Sequence, residues 1–329
     1  MPEFDVTVVG ELNLDLILYG LPHELEPERE LLARGLSLTL GSSSAIFAHN
    51  LSALGSRVGF ISRIGDDPLG QIALERLAAG GVDVSRVRRV SGPTSTGLSV
   101  ILPRAGFRNI LTYPGTMNEM CFEDLDLGYL TSARHFHLSS FFLHWALRPR
   151  MVELFQKIKA AGLTISLDTN DDPEDRWDGE LHTLLRYVDV FLPNERELSK
   201  ITGTPDLDAA LNQLTPMISV VAVKKGPAGA LAQRGKERFT AAAPPVKAID
   251  PVGAGDSFDA GFIHQFARGA DIPTCLAFGN LAGAFSTTRS GGTEAFRDRS
   301  HLEDFLKQHW RVSKSNTSEK ASRSLKAEA

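Results

Sequence analysis

The sequence predicts an α/β protein: a mainly parallel sheet covered by helices on both faces, with a small, mostly antiparallel sheet standing apart from it. Three observations carry that expectation. Strand-like runs alternate with helix-like stretches through most of the chain, and glycines punctuate several of the joins. Residues 35–40 and 96–102 instead alternate apolar and polar positions, with no helix pattern inside either region. Strands separated by helices build right-handed βαβ units, and those units give a parallel sheet buried on both faces.

The first strand is expected at Val6-Thr7-Val8-Val9, a β-branched run closed by Gly10. Residues 35–40 and 96–102 read as strands with one exposed face and are assigned to the small sheet. A helix over 45–54 stops at Gly55, followed by a strand over 58–65 and a helix over 69–79 that ends at Gly80-Gly81. The rhythm then becomes regular: strand 135–139, helix 150–161, strand 163–168, helix 181–187, and strands 188–192 and 220–224. A further helix is expected over 257–268, with Phe258, Phe262, Ile263 and Phe266 in helical register and Gly269 as its stop. Residues 311–329 are rich in Ser, Lys and Glu, and composition marks 313–329 as a disordered tail. One domain over 1–312 remains, with its small sheet drawn from about 12–40 and 92–116.

The chain has 329 residues, of which 42% are hydrophobic, enough to bury a large core. A net charge of −5, with no long basic run before the tail, argues against nucleic acid as a partner. Two isolated cysteines, Cys121 and Cys275, support neither a disulfide framework nor a zinc site. The acidic N-terminal residues lead straight into the first strand, unlike a signal peptide, and no apolar stretch approaches the ~20 residues that span a bilayer. A cytoplasmic protein with no membrane partner is expected.

The strongest chemical signal is Gly253-Ala254-Gly255-Asp256 at the start of a predicted helix. Small residues there let backbone N–H groups approach an anion, and the helix dipole adds partial positive charge. A carboxylate beside such a site can accept the proton of a hydroxyl, the arrangement that phosphoryl transfer needs. Asp256 can alternatively serve as a helix N-cap.

The run Asp250-Pro251-Val252-Gly253-Ala254-Gly255-Asp256-Ser257-Phe258-Asp259-Ala260-Gly261-Phe262 resembles the C-terminal signature of the ribokinase-like (PfkB) carbohydrate kinases. Three other elements resemble the same family: Gly10-Glu11-Leu12-Asn13-Leu14-Asp15; residues 41–55 with Ile64-Gly65-Asp66-Asp67-Pro68-Leu69-Gly70; and Pro193-Asn194-Glu195-Arg196-Glu197. They occur in family order and cover residues 5 to about 310, and no P-loop sequence is present. The resemblance implies a Rossmann-like core with a β-sheet lid, and transfer of the ATP γ-phosphate to a sugar hydroxyl with Mg2+. It makes Asp256 the general base and Gly253, Ala254 and Gly255 the anion hole. Asn194 and Glu197 would organise Mg2+ through water; taken alone, N-x-x-E reads as a solvated helix start. Asp250, the Val252 carbonyl and backbone oxygens near Thr287 and Gly291 fall where relatives bind a monovalent cation such as K+. Pro251 replaces a commoner threonine there, and a turn-forming Asp-Pro is the alternative. Lys224, Gly226 and Gly229 resemble the nucleotide-side loop, with Lys224 either near the phosphates or one of a solvated lysine pair. Asn280 is implied near the adenine; the alternative is a helix-surface amide.

Asn13 and Asp15 leave the C-terminal end of the first strand, where open α/β sheets bind their ligands. By resemblance they hold sugar hydroxyls, with Gly41, Ser42, Ser43 and Asn170 lining the same pocket. Two departures stand out. Ile46 occupies a position where many sugar kinases have asparagine, and Ser139-Ser140 replaces a glutamate of the ribokinases, so strict ribose specificity is not expected. Asp168-Thr169-Asn170 resembles a D-x-N segment of fructokinase-like and 2-keto-3-deoxygluconate kinase-like relatives. Arg104 and Arg108, on the predicted lid, either meet an acidic substrate or are ordinary exposed hairpin arginines. Two other functions stay open. A nucleoside kinase would hold a ribose diol on Asp15 and clamp the base with Tyr19, Phe107 or Tyr113. A catalytically silent sugar sensor has no chemical need for the intact Asp256. The resemblance also implies a homodimer through the lid, which would cover exposed strand edges.

Overall fold

The structure, a computed structural model, describes residues 2–104 and 107–310. The expected tail lies outside the described residues. In chain order, β1 (Val6–Val9), β2 (Leu14–Tyr19) and β3 (Gly35–Leu40) precede α1 (Ser43–Ala53), β4 (Val58–Gly65) and α2 (Pro68–Ala79). Next come β5 (Asp83–Val90), β6 (Leu98–Arg104), β7 (Phe107–Tyr113), α3 (Leu127–Leu130), β8 (His135–Ser139), α4 (Met151–Ala160) and β9 (Thr164–Asp168). They are followed by α5 (Leu181–Leu184), β10 (Val190–Phe191), α6 (Glu195–Thr202), α7 (Leu207–Leu214), β11 (Val220–Lys224), β12 (Ala230–Arg234) and β13 (Glu237–Ala241). The last elements are α8 (Ala254–Phe266), α9 (Ile272–Ser286), α10 (Glu294–Arg297) and α11 (Arg299–His309).

Nine strands form one sheet in the order β13-β12-β11-β10-β9-β8-β1-β4-β5. Every pairing from β11 to β5 is parallel, and only β12 and β13 add antiparallel partners at one edge. β1 lies in the interior of this sheet with all four residues buried, which is why it reads as an unbroken β-branched run without polar alternation. Each face carries its own apolar layer. One gathers Phe136, Leu138, Phe155 and Ile165; the other gathers Val6, Val8, Phe47 and Phe262 from β1, α1 and α8. The ribokinase-like α/β architecture expected from the sequence is therefore present.

Four strands form the smaller sheet, in the order β3-β2-β6-β7. Its outer pairs are antiparallel and its central β2–β6 pair is parallel. Register fixes which side chains share a face. Asp15 lies opposite Thr39 and Ser99, and Ser99 opposite Thr112; Ile17 aligns with Ile101, and Ile101 with Ile110. This face looks at the large sheet, because Ile17 and Ile101 pack against Val252 and the Tyr19 hydroxyl donates to Asp250 Oδ2 at 2.8 Å.

Several elements depart from the sequence expectation. β2, β5, β7, β12 and β13 were not anticipated, and α8 begins at Ala254, three residues earlier than expected. β5, Asp-Val-Ser-Arg-Val-Arg-Arg-Val, is an edge strand whose arginines face solvent, so it lacks the apolar signature of a buried strand. The expected helix over 181–187 is split into α5 and a 3-10 turn, Leu185–Tyr187.

Candidate active site

The turn into α8 is built on glycine. Gly253 is the N-cap, with φ 73°, and a Cβ there would lie 2.6 Å from Gly292 Cα and 3.2 Å from Ile46 Cγ2. Any side chain would be strained by its backbone and blocked by its neighbours. Asn50, fully buried in α1, fixes the surroundings by donating to Ser257 Oγ and the Gly292 carbonyl, both at 2.9 Å. Ile46 is thus a packing residue beneath the turn. Asp256 stands third in the helix, which corrects the N-cap alternative: the cap position is Gly253, with no side-chain hydrogen bond. The Ala254 N–H donates to the Pro251 carbonyl at 3.2 Å and the Ser257 N–H to the Gly253 carbonyl at 2.9 Å. The N–H groups of Gly255 and Asp256, between them, belong to the first turn of a helix, whose donors lack intrahelical acceptors.

Asp256 is buried and hydrogen-bonded to Ser43. Burial, followed by the charges of Asp168 and Glu11, pushes its carboxyl up to about 6, against the opposing pull of Lys224 and Ser43. Lys224 ends β11, with its Nζ 2.6 Å from Asp168 Oδ2 and 3.1 Å from Asp259 Oδ2. Oxygens of Asp168, Asp256 and Asp259 all lie within 4.8 Å of one another. This corrects the solvated-pair alternative for Lys224; only its neighbour Lys225 makes an outer ion pair, with Glu195 at 3.2 Å. Burial pulls the Lys224 ammonium down, but Asp168, Asp259 and Glu197 outweigh it and hold the pKa well above the lysine norm. A Cβ on Gly255 would sit 3.6 Å from Lys224 Nζ, so the ammonium lies against the first turn of α8.

Asp168 is presented by a polar ladder on one face of β8 and β9. His135 bridges Thr164 Oγ1 and Ser166 Oγ, both at 2.7 Å, and His137 bridges Ser166 Oγ at 2.7 Å and Ser139 Oγ at 2.8 Å. Ser139 and Asp168 are the next register pair. Burial lowers the His135 pKa to about 3, so this ladder is uncharged at neutral pH.

Asn13, Asp15 and Gly41 meet below the small sheet. A Cβ on Gly41 would lie 2.3 Å from Asp15 Oδ1 and 2.9 Å from Asn13 Oδ1, so the absent side chain makes room for both. Burial and the nearby Asp256 charge push the Asp15 carboxyl up to about 7, with Arg108 pulling down and Asp250 adding to the rise. Asn13 Oδ1 is buried with no hydrogen-bond partner among the described residues. Ser42 is less available than expected, because its hydroxyl donates to the Glu11 carbonyl at 2.8 Å. Asn170, at φ 52°, accepts from the Ser140 N–H at 2.9 Å. Ser140 Oγ and Ser44 Oγ each donate to the Glu11 carboxylate at 2.7 Å. Glu11 therefore joins Asn170 to this region, and sequence reading had given it no role.

The residues expected on the nucleotide side lie beside Lys224 and around the end of β13. Asn194 and Glu197 make a reciprocal capping box: Asn194 N–H donates to Glu197 Oε2 at 2.8 Å, and Glu197 N–H to Asn194 Oδ1 at 2.9 Å. Glu197 is buried, which corrects the solvated-start alternative, and burial and Asp168 hold its carboxyl up near 7. A buried carboxylate beside a half-buried amide oxygen fits a hard divalent cation acting through water. Asn280 is buried, not a helix-surface amide, and donates to the Ala241 carbonyl at 2.8 Å. Gly229, at φ 91°, abuts that same carbonyl, so Gly229 and Asn280 converge, while Gly226 at φ 54° faces open space. Asp250 closes a loop junction. Its Oδ1 accepts from Val252 N–H at 2.9 Å, its Oδ2 from Gly291 N–H at 3.0 Å and from Tyr19, and Thr287 O accepts from Ile249 N–H at 2.7 Å. Two of the groups expected to hold a monovalent cation, the Asp250 carboxylate and the Thr287 carbonyl, thus already face internal donors.

Residues 3–299 match the model of the pfkB family carbohydrate kinases. The chain is 30% identical to the 2-dehydro-3-deoxygluconokinase of Bacillus subtilis, covering 88% of this chain and 90% of that one. It is 29% identical to the ATP-dependent ribose-1-phosphate kinase of Halopiger xanaduensis, covering 88% and 94%. Among solved structures, one from E. coli described as a ribokinase II in complex with ATP and Mg2+ superposes with a TM-score of 0.80 at 26% identity, covering 93% of this chain and all of that one. With the family match running over nearly its whole length, this chain belongs to the pfkB family of carbohydrate kinases, phosphotransferases that act on a hydroxyl acceptor.

Proposed function

We propose that this chain transfers the γ-phosphoryl group of ATP to a sugar hydroxyl, with Asp256 as the general base. The observation that carries this reading is the pairing of two buried carboxylates across one cleft: Asp256 from the large body and Asp15 from the small sheet, close enough that the charge of one raises the pKa of the other. Asp15 and Asn13 accept hydrogen bonds from acceptor hydroxyls, and Asp256 takes the proton of the attacking one. The acceptor oxygen forms its bond to Pγ as the bond from Pγ to the bridging oxygen breaks, and ADP leaves. The N–H groups at the start of α8 face the developing charge, and Lys224, fixed by Asp168 and Asp259, adds a positive field behind them. When bound, magnesium supplies charge neutralisation at the phosphates, and Asn194 and Glu197 would hold it through water. Closure of the small sheet over the acceptor keeps water from the transferring group.

Asp256→Asn should lower kcat by about 10²–10⁴-fold while leaving ATP affinity nearly unchanged. In the wild type, kcat/KM should fall as pH drops below about 6, because protonated Asp256 cannot act as the base. An ADP-release assay over sugars and nucleosides, with and without potassium, checks both. Near-normal turnover by Asp256→Asn would sink the base assignment, and turnover of nucleosides alone would transfer the site to that acceptor class.

A further inference from the structure

Glu11 is a buried acid that phosphoryl transfer, as described above, leaves unused. It follows the end of β1 by two residues and precedes Asn13 by two. Among the described residues its basic partner is His144, whose Nε2 lies 3.5 Å from Glu11 Oε2. Burial lowers the His144 pKa, and its Nε2 donates to the Ser139 carbonyl at 3.1 Å, so the ring is uncharged at neutral pH. Burying a carboxylate without a counter-ion is costly, and an apolar side chain would serve packing better. Hydroxyl groups carry it instead: Ser44 Oγ and Ser140 Oγ each donate to it at 2.7 Å.

What those hydroxyls hold is strained backbone. Six non-glycine residues have positive φ among the described residues, and three of them gather around Glu11: Ser42 at 61°, Ser140 at 54° and Asn170 at 52°. Ser42 Oγ donates to the Glu11 carbonyl at 2.8 Å and Ser140 Oγ to its carboxylate. Asn170 is joined one bond further out, its Oδ1 accepting from the Ser140 N–H at 2.9 Å. Such backbone persists only where its surroundings over-determine it, and it collects at ligand-binding sites. The same residue governs the approach to Asp256. Ser42, Ser43 and Ser44 each have a different partner: the Glu11 carbonyl, Asp256 and the Glu11 carboxylate. A Cβ on Gly10 would collide with Ser44 Oγ, so that glycine lets Ser44 close its contact.

We propose that Glu11 is a positioning residue for the acceptor pocket: it fixes the backbone of Ser140 and Asn170 on one side and, on the other, the Ser42-Ser43-Ser44 turn that presents Ser43 to Asp256. Asn13 and Asp15 stay open to the acceptor, and Glu11 acts through its neighbours without touching it. The inference rests on the kinase reading above and deepens it.

The test compares wild type, Glu11→Gln and Glu11→Ala by ADP release, with 2-dehydro-3-deoxygluconate, ribose and fructose as acceptors, and by amide hydrogen exchange without ligands. Glutamine keeps one of the two accepting oxygens. Glu11→Gln should therefore raise KM for the acceptor by about 3–10-fold and Glu11→Ala by about 10–100-fold, with KM for ATP within about twofold in both. Exchange reads the hold itself: the Ser140 N–H should exchange about tenfold faster in each variant, while the Phe136 and Leu138 amides inside β8 keep their protection. Uniformly faster exchange, or equal rises in both KM values, would make Glu11 a stability residue and overturn the proposal. Wild-type acceptor KM and wild-type Ser140 exchange in Glu11→Gln would overturn it too, even if Glu11→Ala fails to fold. A wild type that releases ADP with none of the sugars would count against the kinase reading alone, because Ser140 exchange still decides whether Glu11 holds this backbone.

Discussion

The two halves of the cleft are finished to different degrees. On the proposed phosphate side the main polar side chains are engaged with one another: Lys224 with Asp168 and Asp259, Asn194 with Glu197, Asn50 with Ser257 and Gly292. Only Asp259 Oδ1 of these is left without a partner among the described residues. On the acceptor side, Asn13 Oδ1 is buried without a partner, Asp15 sits near neutrality, and Arg108 pairs with nothing described. The contrast has a chemical reason. A phosphoryl group presents the same geometry whatever receives it, so its surroundings can be preorganised by the protein alone. An acceptor differs from one relative to the next, and its pocket is completed by whichever molecule supplies the missing donors and charges.

If the phosphate side is prebuilt, breaking it should damage the fold itself. Lys224→Met leaves two buried carboxylates facing each other and should destabilise the protein by about 3–5 kcal/mol, read as a fall in Tm. Adding Asp259→Asn should recover part of that loss, and an unchanged Tm in the single variant would mean that the ion pairs contribute nothing. On the acceptor side a steric change should act on binding first. Gly41→Ala forces a methyl to within 2.3 Å of Asp15 Oδ1, so the carboxylate must move, at about 1–3 kcal/mol. KM for the sugar should rise while KM for ATP does not; equal increases in both would erase the distinction between the halves.

The smallest effect concerns the unliganded protein. The Asp15 carboxyl is raised from 3.8 to about 7, so the folded state binds its proton more tightly than the unfolded chain does. Stability from this group therefore declines as pH climbs from about 4 through 7, and removing the charge should help above that range. Asp15→Asn should have a higher Tm than wild type at pH 8, with the gap closing near pH 4. A wild-type protein that is the more stable at pH 8 would contradict this burden of charge.

The difference between the halves also explains what could be read from the sequence. The alternation of strands and helices is local, and glycine stops such as Gly55 and Gly269 sharpen it, so the parallel sheet was legible. Asp256 was legible because its surroundings are contiguous, four residues of one turn. The cluster behind it was not: Lys224 meets Asp168 across 56 positions and Asp259 across 35, and no short motif carries that. Asp259 left a trace, since it lies three residues after Asp256 and so on the same side of α8. Glu11 was obscured for a simpler reason: a glutamate in a sequence reads as solvated, and only packing reveals one that is buried, whereas Glu197 was singled out by its resemblance to a family motif and packing added its burial.

The Asn50 clamp bears on how the molecule is made. Its partners Ser257 and the Gly292 carbonyl lie 207 and 242 positions later in the chain. At 5–20 residues per second, a ribosome needs about 10–40 s between synthesising Asn50 and synthesising the first of them. For that interval α1 and its side of the central strands lack the cover of α8, although the strands between β4 and β11 already have neighbours to pair with. The turn into α8 is thus completed late, after every strand of the sheet it covers has been synthesised, with only α9, α10 and α11 following it. A chain interrupted ahead of α8 would lack Asp256 altogether and would leave Val6, Val8 and Phe47 without the helix that covers them.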